Sequence, residues 1–160
     1  MDFVIWKFVH IFAVIIFLGN IATGFYWQYH GERQASHRVL LSTFEGLHRS
    51  DQWITNPCIV LIIISGLGMG YSVGFELLMQ GWILIAYILM MAAGAAYGLK
   101  LVPLHEKIIT LLDREEFTDT HWSEYREMKR TWYVWAGFAT VVPFIILGLM
   151  YFKPATTLFS

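Results

Sequence analysis

One cysteine, Cys58, stands in the 160-residue chain, so no disulfide framework can form within it. Charge is nearly as scarce. Charged residues make up 14% of the chain against 57% hydrophobic, far from the balance of a soluble domain of this length. A net charge of −1 argues against a nucleic-acid partner or a polybasic surface role. Also missing are a zinc-ligand spacing, a phosphate-binding glycine loop, a nucleophile motif and paired catalytic carboxylates. Hydrolase and nucleotide-driven chemistry are therefore without support.

The few charges are segregated. Four intervals contain no Asp, Glu, Lys or Arg: Phe8 to Gly31, Gln52 to Phe75, Leu77 to Leu99, and Thr131 to Phe152. A helix rises about 1.5 Å per residue, so roughly 20 residues cross a hydrocarbon core of about 30 Å. Backbone groups in lipid must also bond within their own helix. Each interval meets these conditions, which predicts spanning helices over about 3–26, 53–75, 78–102 and 131–153. The first run is too long for a secretory signal, and its end, Tyr26-Trp27-Gln28-Tyr29, offers no small-residue cleavage site. The expected fold is all-α, an integral membrane four-helix bundle with two amphipathic cytoplasmic connectors, as a single transmembrane domain.

Short loops rich in Lys and Arg tend to stay in the cytoplasm. Arg33, Arg38 and Arg49 lie in the first connection, and Lys100, Lys107, Arg114, Arg126, Lys129 and Arg130 in the third. Only Lys7 and Lys153 fall towards the other side. This places the chain in the cell inner membrane with both termini outside the cytoplasm and the short connection around Glu76 to Gln80 on the outer face.

In the first connection, Val39, Leu40, Leu41, Phe44 and Leu47 recur at helical spacing among Arg38, Glu45 and Arg49, as expected of a helix lying on the membrane surface. Helix two is expected to begin at Ser50 or Asp51 acting as a cap, with Pro57 in its first turns. The stretch His48-Arg49-Ser50-Asp51 then caps that helix and anchors it among lipid head groups. The third connection reads as a surface-lying segment after Pro103, a turn around Phe117 to Thr120, and a helix entering the membrane through Trp122, Trp132 and Trp135. Pro143 predicts a kink in helix four. Helix two carries Gly66, Gly68, Gly70 and Gly74, and helix three carries Gly94 and Gly98 among alanines. Such faces suit close helix packing, within the chain or against a second copy or a membrane-complex partner.

Of six histidines only His10 falls deep in a spanning segment. An ionisable side chain there marks either a functional site or a bond to a neighbouring helix. His10 lies 26 − 10 = 16 residues from the inner end of helix one, about 24 Å at helical rise. The same depth falls near Met69, Tyr87 and Met150 on the other helices. No second histidine shares this layer. Haem on one histidine, haem on His plus Met, a soft site for cuprous copper, and no cofactor all remain open.

The segments Lys7-Phe8-Val9-His10-Ile11, Phe17-Leu18-Gly19-Asn20, Asp51-Gln52-Trp53, Pro57, Ser65-Gly66, Val102-Pro103-Leu104, Trp132, Trp135, Pro143 and Lys153-Pro154 follow one another in an order that resembles a bacterial family of predicted integral membrane proteins, domain of unknown function 2269. That resemblance implies four helices and no established reaction. A more distant similarity is to the small membrane-bound protoporphyrinogen oxidases, carried by His10, Asn56-Pro57 and Gly81-Trp82. Ala86 stands where those enzymes have a functional lysine, which argues against oxidation of protoporphyrinogen; what the resemblance then implies is a scaffold that holds a porphyrin near His10. The functional expectation is therefore a membrane protein that binds haem or a related porphyrin through His10, in electron transfer or haem handling. The alternative is a cofactor-free structural or accessory subunit.

The charge distribution predicts the topology. Single cysteines at positions 38 and 114, in a Cys58→Ser background, should resist a membrane-impermeant thiol reagent applied to intact cells. Cysteines at 76 and 160 should react. Labelling at 38 or 114 but not at 76 would reverse the orientation.

Overall fold

The computed structural model describes residues 2–34, 36–74 and 80–154. The expected boundaries at Phe75 and Leu78, the outer connection at Glu76 and the terminal Ser160 lie outside the described residues. The described chain is all-helical: α1 (Asp2–Arg33), α2 (His37–Ser50), α3 (Asn56–Val73), α4 (Gly81–Ala96), α5 (Val102–Leu112) and α6 (Asp119–Phe152).

Two short π-helical turns, Asp51–Thr55 and Tyr97–Leu101, join α2 to α3 and α4 to α5. Their origin is in the sequence. Pro57 and Pro103 have no N–H to give to the carbonyls four residues back, Trp53 and Leu99. Just before each proline the backbone bonding is stretched by one residue: Asn56 N–H reaches Asp51 O, and Val102 N–H reaches Tyr97 O. Each turn widens its helix without ending it. The chain therefore forms four long, apolar helical rods: Asp2–Arg33, His37–Val73, Gly81–Leu112 and Asp119–Phe152.

The amphipathic connectors are thus not laid along a membrane surface. α2 continues α3 and α5 continues α4, and the apolar faces of α2 and α5 are packed together at the polar end of the bundle. Leu40, Phe44, Ile108, Leu111, Leu112, Tyr125 and Trp132 form the buried core there. Burying a side chain such as Phe44 contributes about 1.5–3 kcal/mol. The helix has no start at Ser50 or Asp51, so neither residue caps it. On α6 the Thr118 and His121 side chains close a reciprocal capping box. A bond from Lys129 Nζ to Glu32 Oε2 (2.9 Å) ties α6 to the end of α1.

Through the apolar part, α1 pairs with α3 and α4 with α6. Trp6 lies opposite Gly68, His10 opposite Ser65, and Asn20 bonds Thr55, which sets the antiparallel register of the first pair. Among the described residues no Cα of α3 comes within 8 Å of one in α4, so a cleft separates the two pairs.

The two glycine patches differ in use. A Cβ on Gly68 would collide with the Trp6 indole, whereas one on Gly94 would meet nothing within 4 Å. Gly94 is therefore not the close-packing contact its alanine-rich neighbourhood suggests. Gly68→Leu should lower the unfolding midpoint of the detergent-purified protein, by the equivalent of about 1–3 kcal/mol of overpacking. Gly94→Leu should leave it nearly unchanged. Equal losses in a thermal scan would refute the assignment of the α1–α3 seam.

Candidate functional site: a buried polar cluster beside an apolar cavity

The structure brings a set of polar side chains together where the two π-helical turns face each other. Ser50 Oγ donates to Asn20 Oδ1 (2.6 Å), Asn20 Nδ2 donates to Thr55 Oγ1 (2.9 Å), and Thr55 Oγ1 donates to Asp51 Oδ1 (2.9 Å). The Tyr97 side chain of the second π turn lies beside the Asp51 carboxylate. This is a one-way chain of donors that ends on an acceptor. It joins α1, α2 and the first π turn, and it satisfies Asn20 deep in an apolar helix, where an unpaired amide would cost about 1–3 kcal/mol.

His105 on α5 completes the cluster. Trp132 Nε1 donates to His105 Nε2 at 2.5 Å, and an indole N–H can only donate. Nε2 therefore accepts, and the neutral ring carries its proton on Nδ1. That Nδ1–H is buried without a hydrogen-bond partner among the described residues, 4.0 Å from Asp51 Oδ2. His105 as a whole is 4% exposed. A gap of 4.0 Å is too long for a direct bond, and because Nδ1 has almost no accessible surface, an intervening atom bonded to both would require the two side chains to part slightly.

Asp51, His105, Asn20 and Tyr97 border a cavity of about 190 Å³ whose remaining walls are almost wholly apolar, among them Phe17, Ile63, Met91 and Trp132. Its volume comes from small residues: Gly94 and Ala93 on α4, Ala136 and Ala139 on α6. Pro143, also in the wall, leaves the carbonyl of Ala139 without its usual helical donor. The cavity lies in the α3–α4 cleft, and its lining residues Ile63 and Met91 are 40% and 69% exposed. The hollow thus reaches the lipid-facing surface.

The residues expected to form a site sit elsewhere. His10 Nδ1 is 3.1 Å from both Ile62 O and Ser65 Oγ. Since a carbonyl only accepts, Nδ1 carries the proton and Nε2 has the lone pair. Ser65 Oγ in turn donates to Leu61 O. Opposite His10 stand Ile62, Ser65 and Gly66, one helical turn short of Met69. Met69, Tyr87 and Met150 are half-buried and make no hydrogen bond or ring contact to His10 among the described residues. No group of three His, Cys, Asp or Glu side chains able to hold a metal ion occurs among them either.

A family model described as a predicted integral membrane protein, DUF2269, matches residues 4–154. The chain belongs to this family. No curated protein and no solved structure matches. This family member is an integral membrane protein with four spanning helices.

Asn20, Asp51, Tyr97, His105 and Trp132 were not singled out together by sequence reasoning. One signal was present: Asp51 and Tyr97 each stand six residues before a proline, at Pro57 and Pro103. Asn20 also interrupts an apolar run much as His10 does. Trp132→Phe should remove the donor that His105 Nε2 has among the described residues and leave a buried acceptor unpaired, at a cost of about 1–3 kcal/mol in a denaturation assay. A loss no larger than that of the exposed Trp53→Phe would mean the bond contributes nothing.

Proposed function

We propose that this protein holds a lipophilic small molecule inside the membrane, in the cavity between its two helix pairs. The observation that carries this reading is the unpartnered Nδ1–H of His105 beside Asp51 at the edge of an otherwise apolar hollow. Ligand sites of this kind combine apolar walls with a few convergent polar groups. An all-polar cluster would serve as a structural staple, and an all-apolar void as a packing defect. Here both meet, and the cleft gives a path from the bilayer. The concentration of Lys and Arg at the polar end supports a position of that end, and with it the site, in the cytoplasmic leaflet of an inner membrane.

A second reading, haem or another porphyrin on His10, has one observation in its favour. Donation from Nδ1 to Ile62 O leaves Nε2 as a free lone pair, the way metal-ligating histidines are oriented by a carbonyl partner. This fits one axial ligand. It also agrees with the resemblance of His10, Asn56-Pro57 and Gly81-Trp82 to protoporphyrinogen oxidases, although Ala86, in the place of their lysine, is closed inside the bundle at 2% exposure. His10 does not border the cavity, so the two readings concern different sites.

Purified wild type, Gly94→Leu and His10→Ala separate them. Solvent extraction and mass spectrometry should find a lipophilic molecule on the wild type and on His10→Ala. It should be about tenfold or more depleted on Gly94→Leu, whose side chain enters the hollow. A haem absorption band lost in His10→Ala and kept in Gly94→Leu would support the porphyrin reading instead. No molecule and no band in any preparation would leave the accessory-subunit alternative.

A further inference from the structure

Resting on the cavity reading, we infer that the bound molecule is a lipophilic alcohol or phenol whose hydroxyl oxygen sits between His105 and Asp51. The polar end of the site is asymmetric. The Trp132 bond makes His105 Nδ1–H a donor and nothing else. Asp51 ends a chain of donors: Thr55 takes Oδ1, Tyr97 lies beside the carboxylate, and Oδ2 is the oxygen nearest to His105. An ionised carboxylate only accepts. With Asp51 ionised, a group placed between the two accepts from nitrogen and donates to oxygen with a single small atom. A hydroxyl does both. A ketone, ester or ether accepts but cannot donate, and would bring its oxygen against the carboxylate. An ammonium group cannot accept from His105. A carboxylic acid in its ionised form would repel Asp51.

The rest of the molecule follows from the walls. Phe17, Ile63, Met90 and Met91 offer no hydrogen bond to a chain, and the α3–α4 cleft lets a tail longer than the cavity pass into lipid. Aliphatic alcohols and alkyl phenols share this chemistry, and both are carried as probes below.

The test uses full-length protein in lipid nanodiscs with four probes: dodecanol, its methyl ether, 4-nonylphenol, and its methyl ether. Binding is followed by native mass spectrometry and by the nitrogen-15 resonances of labelled histidine. At least one hydroxyl probe should bind about tenfold or more tightly than its own ether, the equivalent of one hydrogen bond to a charged acceptor. That probe should move the His105 Nδ1 signal. Tighter binding of dodecanol identifies an aliphatic alcohol, and tighter binding of nonylphenol a phenol. In Asp51→Asn the preference for hydroxyl over ether should collapse, because an amide N–H can serve either oxygen. Asparagine keeps the size of the side chain, and the wild-type comparison needs no variant at all. Equal affinity of hydroxyl and ether for the wild type would overturn the hydroxyl assignment and leave the cavity reading standing, provided Gly94→Leu blocks all four probes. Failure of every probe to bind would overturn both.

Discussion

The Trp132–His105 hydrogen bond governs the chemistry of the whole site. It ties α6 to α5 inside the core of the polar end, where both rings are almost fully buried. It also decides which nitrogen of His105 carries the proton, since an indole cannot accept. Through that choice it turns the other edge of the ring into a donor beside Asp51. Around the ring, Phe44 packs edge-on against both His105 and Trp132, so rotation of either would disturb the core that joins α2 to α5. Packing and electrostatics are thus set by the same side chains.

The π-helical turns place the opposing half of the site. In a spanning helix the backbone must bond internally, because lipid supplies no alternative partner. Proline deletes one such bond, and the chain answers by stretching the preceding turn instead of breaking the helix. Two prolines at matching distances produce two widened turns at one level of the bundle. Those turns carry Asp51, Thr55 and Tyr97: Thr55 bonds Asp51 and the amide of Asn20, and Tyr97 lies beside the Asp51 carboxylate. A helix broken and capped at Ser50 would have spent the same side chains on its own free amides.

Apolar helices in lipid gain little from burying apolar surface against one another, so their contacts depend on close fit and on hydrogen bonds. Both are found between α1 and α3, where Trp6 fills the space left by Gly68 and His10 bonds across to Ile62 and Ser65. His10 was legible in the sequence as the one deep histidine, and its bond to another helix was among the roles foreseen. Its neighbours were not, because levelling helices by length assumed that α3 starts at the membrane surface. The unbroken rod from α2 into α3 shifts the register by a turn, from Met69 to Ser65.

From the sequence alone come the four spans, the all-helical class and the separation of a polar end from an apolar body. Each follows from a local rule: a charge-free run of sufficient length must be a helix in lipid, whatever its neighbours. The spacing of Asp51 to Pro57 and of Tyr97 to Pro103 was visible too, but a π turn has no meaning as a site until something faces it. Only the tertiary structure decided that α3 and α4 stand apart, that the small residues of α4 and α6 hollow out a cavity, and that His105 meets Asp51 across 54 positions of sequence, from 51 to 105. These depend on the rotation and register of separate helices. Those are set by side-chain fit between segments distant in the chain, which no local pattern of residues specifies.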